Sequence, residues 1–298
     1  MSEYCFGSIT SGYPGAPVCI KEDRPFTAEH YRTMRAETKI LWDFTGVNMA
    51  WKLLLKSHEE FARFMGSQEK PLKVSHQLYL ISAEVAELQL ECLRLLMNFL
   101  ASASAFLSIS QTELKRNFSP AVFNIWDEKR KELHLNGRSY RIGYELRNYA
   151  QHYGFPVSQF NADMSPTKFH KIDMQVNVDE LLAKDFNWNN KVKSDLQGLP
   201  EGRLELETMV SEYFDSLKNI HQNSVTCYQG GFERCASYLN HLLSAYKLQK
   251  EHSPVIFISA RAGRTRGETM EFVPLYLFKE IHSDLNSQFG LQCQSVDF

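Results

Sequence analysis

The sequence predicts a mainly α-helical protein: an antiparallel helical bundle with a small β insertion and a C-terminal β-hairpin. Apolar residues recur at i, i+3, i+4 and i+7 through several long segments, which is the spacing of an amphipathic helix. The segment 75–116 contains neither proline nor glycine. Alternating apolar residues, the pattern of a strand, are confined to short stretches after residue 155 and near the end of the chain.

The first long helix is expected to follow a Gly/Pro-rich opening. Thr27 is its predicted N-cap, and His30 stands where a glutamate or glutamine would complete a capping box. After a break at "GSQEKPLK", the segment 75–116 forms either one very long helix or two helices with a slight bend. The next helix begins with Ser119 as N-cap and Pro120 at the first helical position.

The helix "YRIGYELRNYAQHY" follows, and it is expected to end at Gly154 with Pro156 just beyond. "KIDMQVNVDELL" then alternates like a strand and passes into a short helix, whereas "NWNNKVKSDLQGLPEG" indicates loop and turn. A second long helix covers the stretch to about residue 250, with a possible kink at Gly230-Gly231. "SPVIFISARAGRTRGETMEF" predicts two strands around a Gly/Arg-rich turn.

The expected domain organisation therefore has three parts. They are an N-terminal helical extension (1–72), a helical bundle (73–250) with the β insertion at about 156–200, and a C-terminal β-hairpin with a tail (251–298).

Composition limits the classes of function. The formal net charge is −2, so no overall basic field draws the chain to nucleic acid, and any such contact needs a local patch. The six cysteines form no C-x-x-C pair, which favours reduced cytosolic thiols over a disulfide framework. Cys227 and Cys235 lie near His221 and His241, but their spacing suits no compact zinc motif. We expect no metal and no cofactor.

The location is expected to be the cytoplasm. The N-terminus has no basic region followed by an apolar core, so it does not resemble a signal peptide. The most apolar run, "CLRLLMNFLASASAFLSI", is interrupted by Arg94 and Asn98 and is typical of a buried helix, so no membrane association is predicted.

One stretch carries a chemical signature, "ELRNYAQH", with Arg147 and Asn148 adjacent and His152 four residues further on. Spacing alone is uninformative, because Arg24/His30 and Arg234/His241 also match a loose Arg-x(4–6)-His pattern. The polar neighbour and the glycine-terminated helix distinguish the first case. At about 100° per residue, Asn148 and His152 share one helix face, and Arg147 is displaced from His152 by about 140°.

"ELRNYAQH" resembles the catalytic motif of the HEPN superfamily, in which arginine is followed by a polar residue, often asparagine, and then by histidine. The resemblance extends to the long helices of residues 75 to about 250, although only the motif itself is specific. It implies a HEPN-like helical bundle and a metal-independent endoribonuclease with Arg147 and His152 as the catalytic pair and Asn148 in support. It also implies RNA as substrate, a homodimer, and an antitoxin or anti-phage defence partner.

The residue types suit that chemistry. Histidine exchanges protons near neutral pH, and arginine presents a permanently charged fork that matches phosphate oxygens. Tyr144, Tyr153 and Arg141 are the expected substrate-binding residues around the pair. Arg261, Arg264 and Arg266 in the closing turn offer a further phosphate contact or a solvated basic loop, and His134 and His170 are expected to be surface or packing residues.

Three other interpretations remain open. The motif is also consistent with a polar helix end at which Arg147 pairs with Glu145 or the helix dipole. The protein as a whole is alternatively a non-catalytic HEPN-like interaction or sensor module. A weaker alternative is a nucleotide-binding protein in which Arg147 holds a phosphate.

Overall fold

A computed structural model describes residues 4–11, 17–67, 78–157, 159–162, 172–248, 252–262, 265–289 and 296. Within these residues the chain forms eight α-helices and seven strands. The predicted mainly helical class with a small antiparallel β component is confirmed.

The helices are α1 (Ala28–Ser67), α2 (Leu78–Asn117), α3 (Pro120–Asn136), α4 (Arg138–His152), α5 (Val178–Leu182), α6 (Asn190–Gln197), α7 (Leu206–Tyr246) and α8 (Leu275–Phe289). The strands are β1 (Tyr4–Ser11), β2 (Pro17–Pro25), β3 (Gln159–Ala162), β4 (Ile172–Asn177), β5 (Arg203–Glu205), β6 (Ser253–Ala262) and β7 (Thr265–Phe272).

Two antiparallel sheets contain these strands. One sheet has the order β2-β1-β6-β7, and the other has the order β3-β4-β5. Strands β6 and β7 form the expected C-terminal hairpin, in register from Val255 opposite Phe272 to Ala262 opposite Thr265. The β3-β4-β5 sheet supplies the expected β insertion.

Strands β1 and β2 precede the first helix, and the sequence did not predict them. Strand β1 pairs with β6 across most of the chain's length, with Tyr4 opposite Ile258 and Ile9 opposite Ser253. A Cβ on Gly7 would lie 2.3 Å from the carbonyl oxygen of Ile20, so glycine is required where β1 shifts register against β2. A partner so distant in sequence leaves no local signal.

Helix α6 is the second difference, because "NWNNKVKSDLQGLPEG" was predicted to be loop and turn. The Asn189 side chain accepts a hydrogen bond from the backbone N–H of Lys191 and caps the helix. Val192 and Leu196, four residues apart, are both buried. A cap and one apolar pair suffice for a helix of this length when tertiary packing completes it.

Capping and continuity elsewhere follow the sequence closely. The backbone N–H of His30 donates to the Thr27 hydroxyl, and the backbone N–H of Thr27 donates to His30 Nδ1 at 3.3 Å. Histidine thus closes a reciprocal capping box in place of glutamate. The stretch 78–117 is a single helix, and α7 is helical through Gly230-Gly231.

Contacts divide the chain into two compact units, one made of Met1–Thr45 with Val225–Phe298 and the other of Gly46–Ser224. The boundaries of the three expected parts, at 72 and 250, fall outside the described residues, and that organisation stays a prediction. Aromatic rings form part of the core of the first unit. Phe6 stacks on Tyr246, and Phe44 packs edge-on against Phe232.

The unit Gly46–Ser224 has a second aromatic core, and it contains the motif helix α4. Trp51 stacks on the imidazole of His221 with ring centroids 4.5 Å apart, and Phe214 stacks on the imidazole of His58 at 3.8 Å. His221 is fully buried, and burial lowers its pKa to about 3. A neutral imidazole is therefore part of this core.

Helix α2 contains the one membrane-span candidate found among the described residues, within Ala86–Asn117. Its mean hydropathy reaches 1.6, but 44% of the window is buried inside the protein. Leu96, Phe99 and Phe106 of this helix belong to the core. Length and composition of this kind are also typical of the core helix of a soluble protein, so the evidence for a span is weak.

Gly143 is expected to be intolerant of alanine, because it sets the distance between α4 and α7. A Cβ at this position would lie 2.5 Å from the ring of fully buried Tyr213. Gly143→Ala should lower the free energy of unfolding by about 1–3 kcal/mol through overpacking, measured by urea denaturation. Gly66→Ala, a helical glycine whose Cβ would meet no described atom within 4 Å, is the control and should not destabilise. Equal effects would contradict the proposed contact.

His221 should make the stability of the protein sensitive to acid. Its folded pKa of about 3 lies below the unfolded value, so the unfolded state takes up a proton first as the pH falls below about 6.5. Between pH 6.5 and pH 4, His221→Phe should therefore lose about 2–3 kcal/mol less free energy of unfolding than the wild type loses, measured by urea denaturation. Exposed His241→Phe is the control; a parallel pH profile for His221→Phe would contradict the burial.

Candidate active site

Helix α4 carries every residue of the candidate site except Tyr153, which is its C-cap. It packs against α2, α3 and α6, and Gly143 brings it close to Tyr213 of α7. The helix ends as predicted, because Gly154 has a φ of +152°, a backbone conformation that glycine adopts far more readily than other residues. The site therefore lies at the C-terminal turns of a helix that is held on several sides.

Arg141 is a structural residue, which corrects its predicted role in binding substrate. Its guanidinium is 5% exposed and forms a bidentate ion pair with Asp195 of α6, with Nε–Oδ2 and Nη2–Oδ1 distances of 2.7 and 3.0 Å. Nη1 also donates to the carbonyl oxygens of His134 and Leu135 in the last turn of α3. These bonds occupy the fork, so it is not available to a phosphate.

Arg147 has a different environment, although it lies on the same helix. Its Nη1 donates a hydrogen bond of 2.6 Å to the Ser104 hydroxyl of α2, and its guanidinium lies 4.6 Å from the centroid of the Tyr144 ring. Its Nε is buried and has no hydrogen-bond partner among the described residues. Both named contacts are with neutral groups, so the positive charge of Arg147 is not compensated by a carboxylate in the described part of the chain.

The pairing of Arg147 with Glu145, one of the alternative interpretations, is not among the ion pairs of the described residues. Glu145 instead accepts a long hydrogen bond of 3.4 Å from Asn148 Nδ2. Asn148 is half-buried, one turn from His152 on the same helix face. Its amide is thus oriented by a neighbouring carboxylate.

His152 is the last residue of α4 and is exposed. It makes no hydrogen bond to the described residues, and none joins it to Arg147 or Asn148. The imidazole is accessible to a ligand, while Arg147 reaches toward α2. Within one chain the two members of the motif therefore border the end of α4 and do not converge on a common atom.

The two tyrosines of the candidate site also differ from each other. Tyr144 is half-buried, with Arg147 over its face and the His134 ring edge-on at 6.2 Å. Tyr153 is 55% exposed and stacks on Tyr149 with centroids 6.1 Å apart. It also meets the edge of Phe186 at 5.0 Å.

The sequence patterns did not identify several residues of this region. They are Ser104 and Asp195, which bind the two arginines, and Phe186 and Trp188, which pack beside Tyr149. An Asn at 189 followed by apolar residues four apart was the available signal for α6 and hence for Asp195. Nothing in the sequence marks one serine of α2 above its several others.

The remaining candidates are peripheral or undescribed. The side chains of Arg261 and Arg266, and both Arg264 and His170, fall outside the described residues. No group of three or more His, Cys, Asp or Glu residues is placed to hold a metal in the part of the chain that the structure describes.

The chain matches no protein-family model, no curated protein and no solved structure. The HEPN resemblance consequently depends on the motif and its helical context, and it stays a prediction.

Arg141 should contribute to stability and not to substrate contact. Arg141→Ala leaves the half-buried Asp195 carboxylate and two α3 carbonyl groups without their partner, so the free energy of unfolding should fall by about 3–5 kcal/mol in urea denaturation. Lys129→Ala, which breaks an exposed pair with Glu132, should change it little. A nearly unchanged stability for Arg141→Ala would contradict the structural role.

Proposed function

We propose that the protein is a metal-independent endoribonuclease of HEPN type, with Arg147 and His152 as its catalytic pair and Asn148 as the supporting residue. The observation that carries the proposal is the uncompensated charge of Arg147, held by the neutral Ser104 and Tyr144, five positions before an exposed histidine. A structural arginine in the same helix, Arg141, is instead neutralised by a carboxylate.

The chemistry follows from these groups. Cleavage without a metal requires a base to remove the proton of the 2′-hydroxyl and an acid to protonate the 5′-oxygen leaving group. His152 is the proposed acid–base group, and positioned acid–base catalysis contributes about 10² to 10⁴ in rate. Arg147 stabilises the charge that develops on the phosphoryl oxygens, and no carboxylate among the described residues competes for its guanidinium.

A homodimer solves the geometric separation within one chain. Arg147 and His152 are displaced by about 140° around α4, so one copy does not aim both at the same phosphate. Two copies of α4 crossing at a two-fold axis would bring the arginine of one and the histidine of the other to one substrate. The proposal therefore includes a dimer whose active site is shared between subunits.

The wider role proposed for the enzyme is that of a toxin or phage-defence effector in the cytoplasm, controlled by an antitoxin or a defence-system partner. This part of the proposal comes from the HEPN resemblance. Tyr153, exposed at the helix end, is the proposed stacking surface for a base next to the cleaved bond.

The second candidate is a non-catalytic HEPN-like interaction or sensor module. It is favoured by the formal net charge of −2 and by the separate directions of Arg147 and His152 in one chain. In that case the end of α4 is a binding surface, and its residues affect association without affecting any cleavage.

RNA cleavage in EDTA tests the proposal. The purified wild type should cleave a mixed RNA pool, and His152→Ala and Arg147→Ala should each reduce the initial rate by about 100-fold or more. The double variant Arg234→Ala/His241→Ala removes a pair with similar sequence spacing and should retain wild-type activity. Absence of cleavage by the wild type, or unchanged cleavage by His152→Ala, would favour the interaction module.

A further inference from the structure

A pocket of about 390 Å³ lies between α3 and α4, beside the candidate active site. Its lining consists of Arg130, Lys131, His134, Leu135, Tyr140 and Tyr144. The volume falls within the range of roughly 300–1,000 Å³ that small-molecule and cofactor sites occupy. Tyr144 belongs both to this pocket and to the candidate active site, because the guanidinium of Arg147 lies over its ring.

The lining combines flat rings with cations. The imidazole of His134 meets Tyr140 and Tyr144 edge-on, at 84° and 87° and 6.2 Å in each case. The two tyrosine rings are close to parallel, at 24° and 6.4 Å. Tyr140 is only 1% exposed, so the half-buried Tyr144 and His134 provide the accessible aromatic surface. Aromatic surfaces of this kind are the basis of base stacking by proteins.

The charge at the pocket is positive on balance. Arg130 and Lys131 both line it, and no carboxylate is among the lining residues. Asp127 pairs with both cations, so one acid is shared between two bases. Lys131 remains 65% exposed, with an ammonium group that can turn toward an anion.

Further cations surround His134 beside the pocket. Burial is the main cause that lowers the pKa of His134, and Arg141, Lys191 and Arg130 lower it further, against the opposing influence of Glu145. The Lys191 ammonium donates to the carbonyl oxygen of Leu135 at 2.5 Å and so lies at the pocket's edge. A neutral imidazole beside several cations favours an anionic ligand with an aromatic part.

We infer that this pocket binds one nucleotide unit, with its base against Tyr144 and His134 and its phosphate on Lys131 and Arg130. The inference deepens the proposed function and rests on it for the source of the nucleotide, which is a single-stranded RNA whose next phosphate reaches Arg147. A free mononucleotide has the same chemistry, so the experiment separates the two sources.

The test is binding of a fluorescein-labelled, single-stranded RNA octamer, followed by anisotropy at 150 mM salt with EDTA in the His152→Ala background. Lys131→Glu should raise the Kd about tenfold. Lys129→Glu is the matched control, because it makes the same charge change on the same helix at an exposed position outside the pocket, and it should raise the Kd no more than about twofold.

The stacking contact is tested at Tyr144. Tyr144→Leu should raise the Kd by about 5- to 100-fold, the range for loss of one base stack, and Tyr144→Phe should restore binding. If Tyr144→Leu fails to fold, exposed Lys131 carries the test, since its replacement leaves the core intact. Equal Kd values for Lys131→Glu and Lys129→Glu, or wild-type binding by Tyr144→Leu, would overturn the inference.

Calorimetric titration with AMP distinguishes the sources. Binding of AMP that is lost in Lys131→Glu assigns the pocket to a free nucleotide, whereas binding of the octamer alone assigns it to an RNA strand. If cleavage depends on His152 but the Kd is insensitive to Lys131→Glu, the inference about the pocket is wrong and the proposed ribonuclease function is supported. If binding depends on Lys131 but the wild type does not cleave RNA, the pocket inference is supported and the ribonuclease function is wrong.

Discussion

The ion pair between the buried Arg141 and the half-buried Asp195 holds helix α4 against α6, and the candidate site depends on where that helix lies. The same guanidinium also binds the last carbonyl groups of α3, so one side chain joins three helices. Gly143 adds a steric constraint, because Tyr213 occupies the space of a side chain. Rotation of α4 by a single residue, about 100°, would break the pair and redirect every residue after it.

Two arginines on this helix illustrate how environment assigns a role. Arg141 is buried with a carboxylate and two carbonyl groups, and its donors are used within the fold. Arg147 is half-buried against a hydroxyl and a π face, and it keeps both its charge and a donor. A cation placed among neutral groups is stabilised further by an incoming phosphate, which makes Arg147 the stronger candidate for ligand contact.

Local signals in the sequence were sufficient for several elements. The start of α3 at Pro120, the end of α4 before Gly154 and the β6-β7 hairpin all follow from caps, glycine, proline and alternation. Strand β1 was missed because its partner β6 lies almost at the other end of the chain, and pairing across that distance leaves no trace in a short window. Helix α6 was missed because it is short and polar, with an apolar face of two residues.

The sequence likewise predicted part of the candidate site and missed the rest. The identities of Arg147, Asn148 and His152 could be read from the motif, but the partners of each arginine could not. The sequence does not show which of the two arginines pairs with a carboxylate, and only packing against Asp195 or Ser104 does. The pocket between α3 and α4 likewise depends on how two helices approach, which periodicity does not specify.

The central claim is that His152 and Arg147 cleave RNA by activating its 2′-hydroxyl. The most direct measurement compares an RNA oligonucleotide with a copy that carries 2′-deoxyribose throughout, both incubated with the wild type in EDTA. The account predicts cleavage of the RNA alone, with fragments that end in a 2′,3′-cyclic phosphate or its hydrolysis product. Equal cleavage of both oligonucleotides, or an intact RNA, would contradict it.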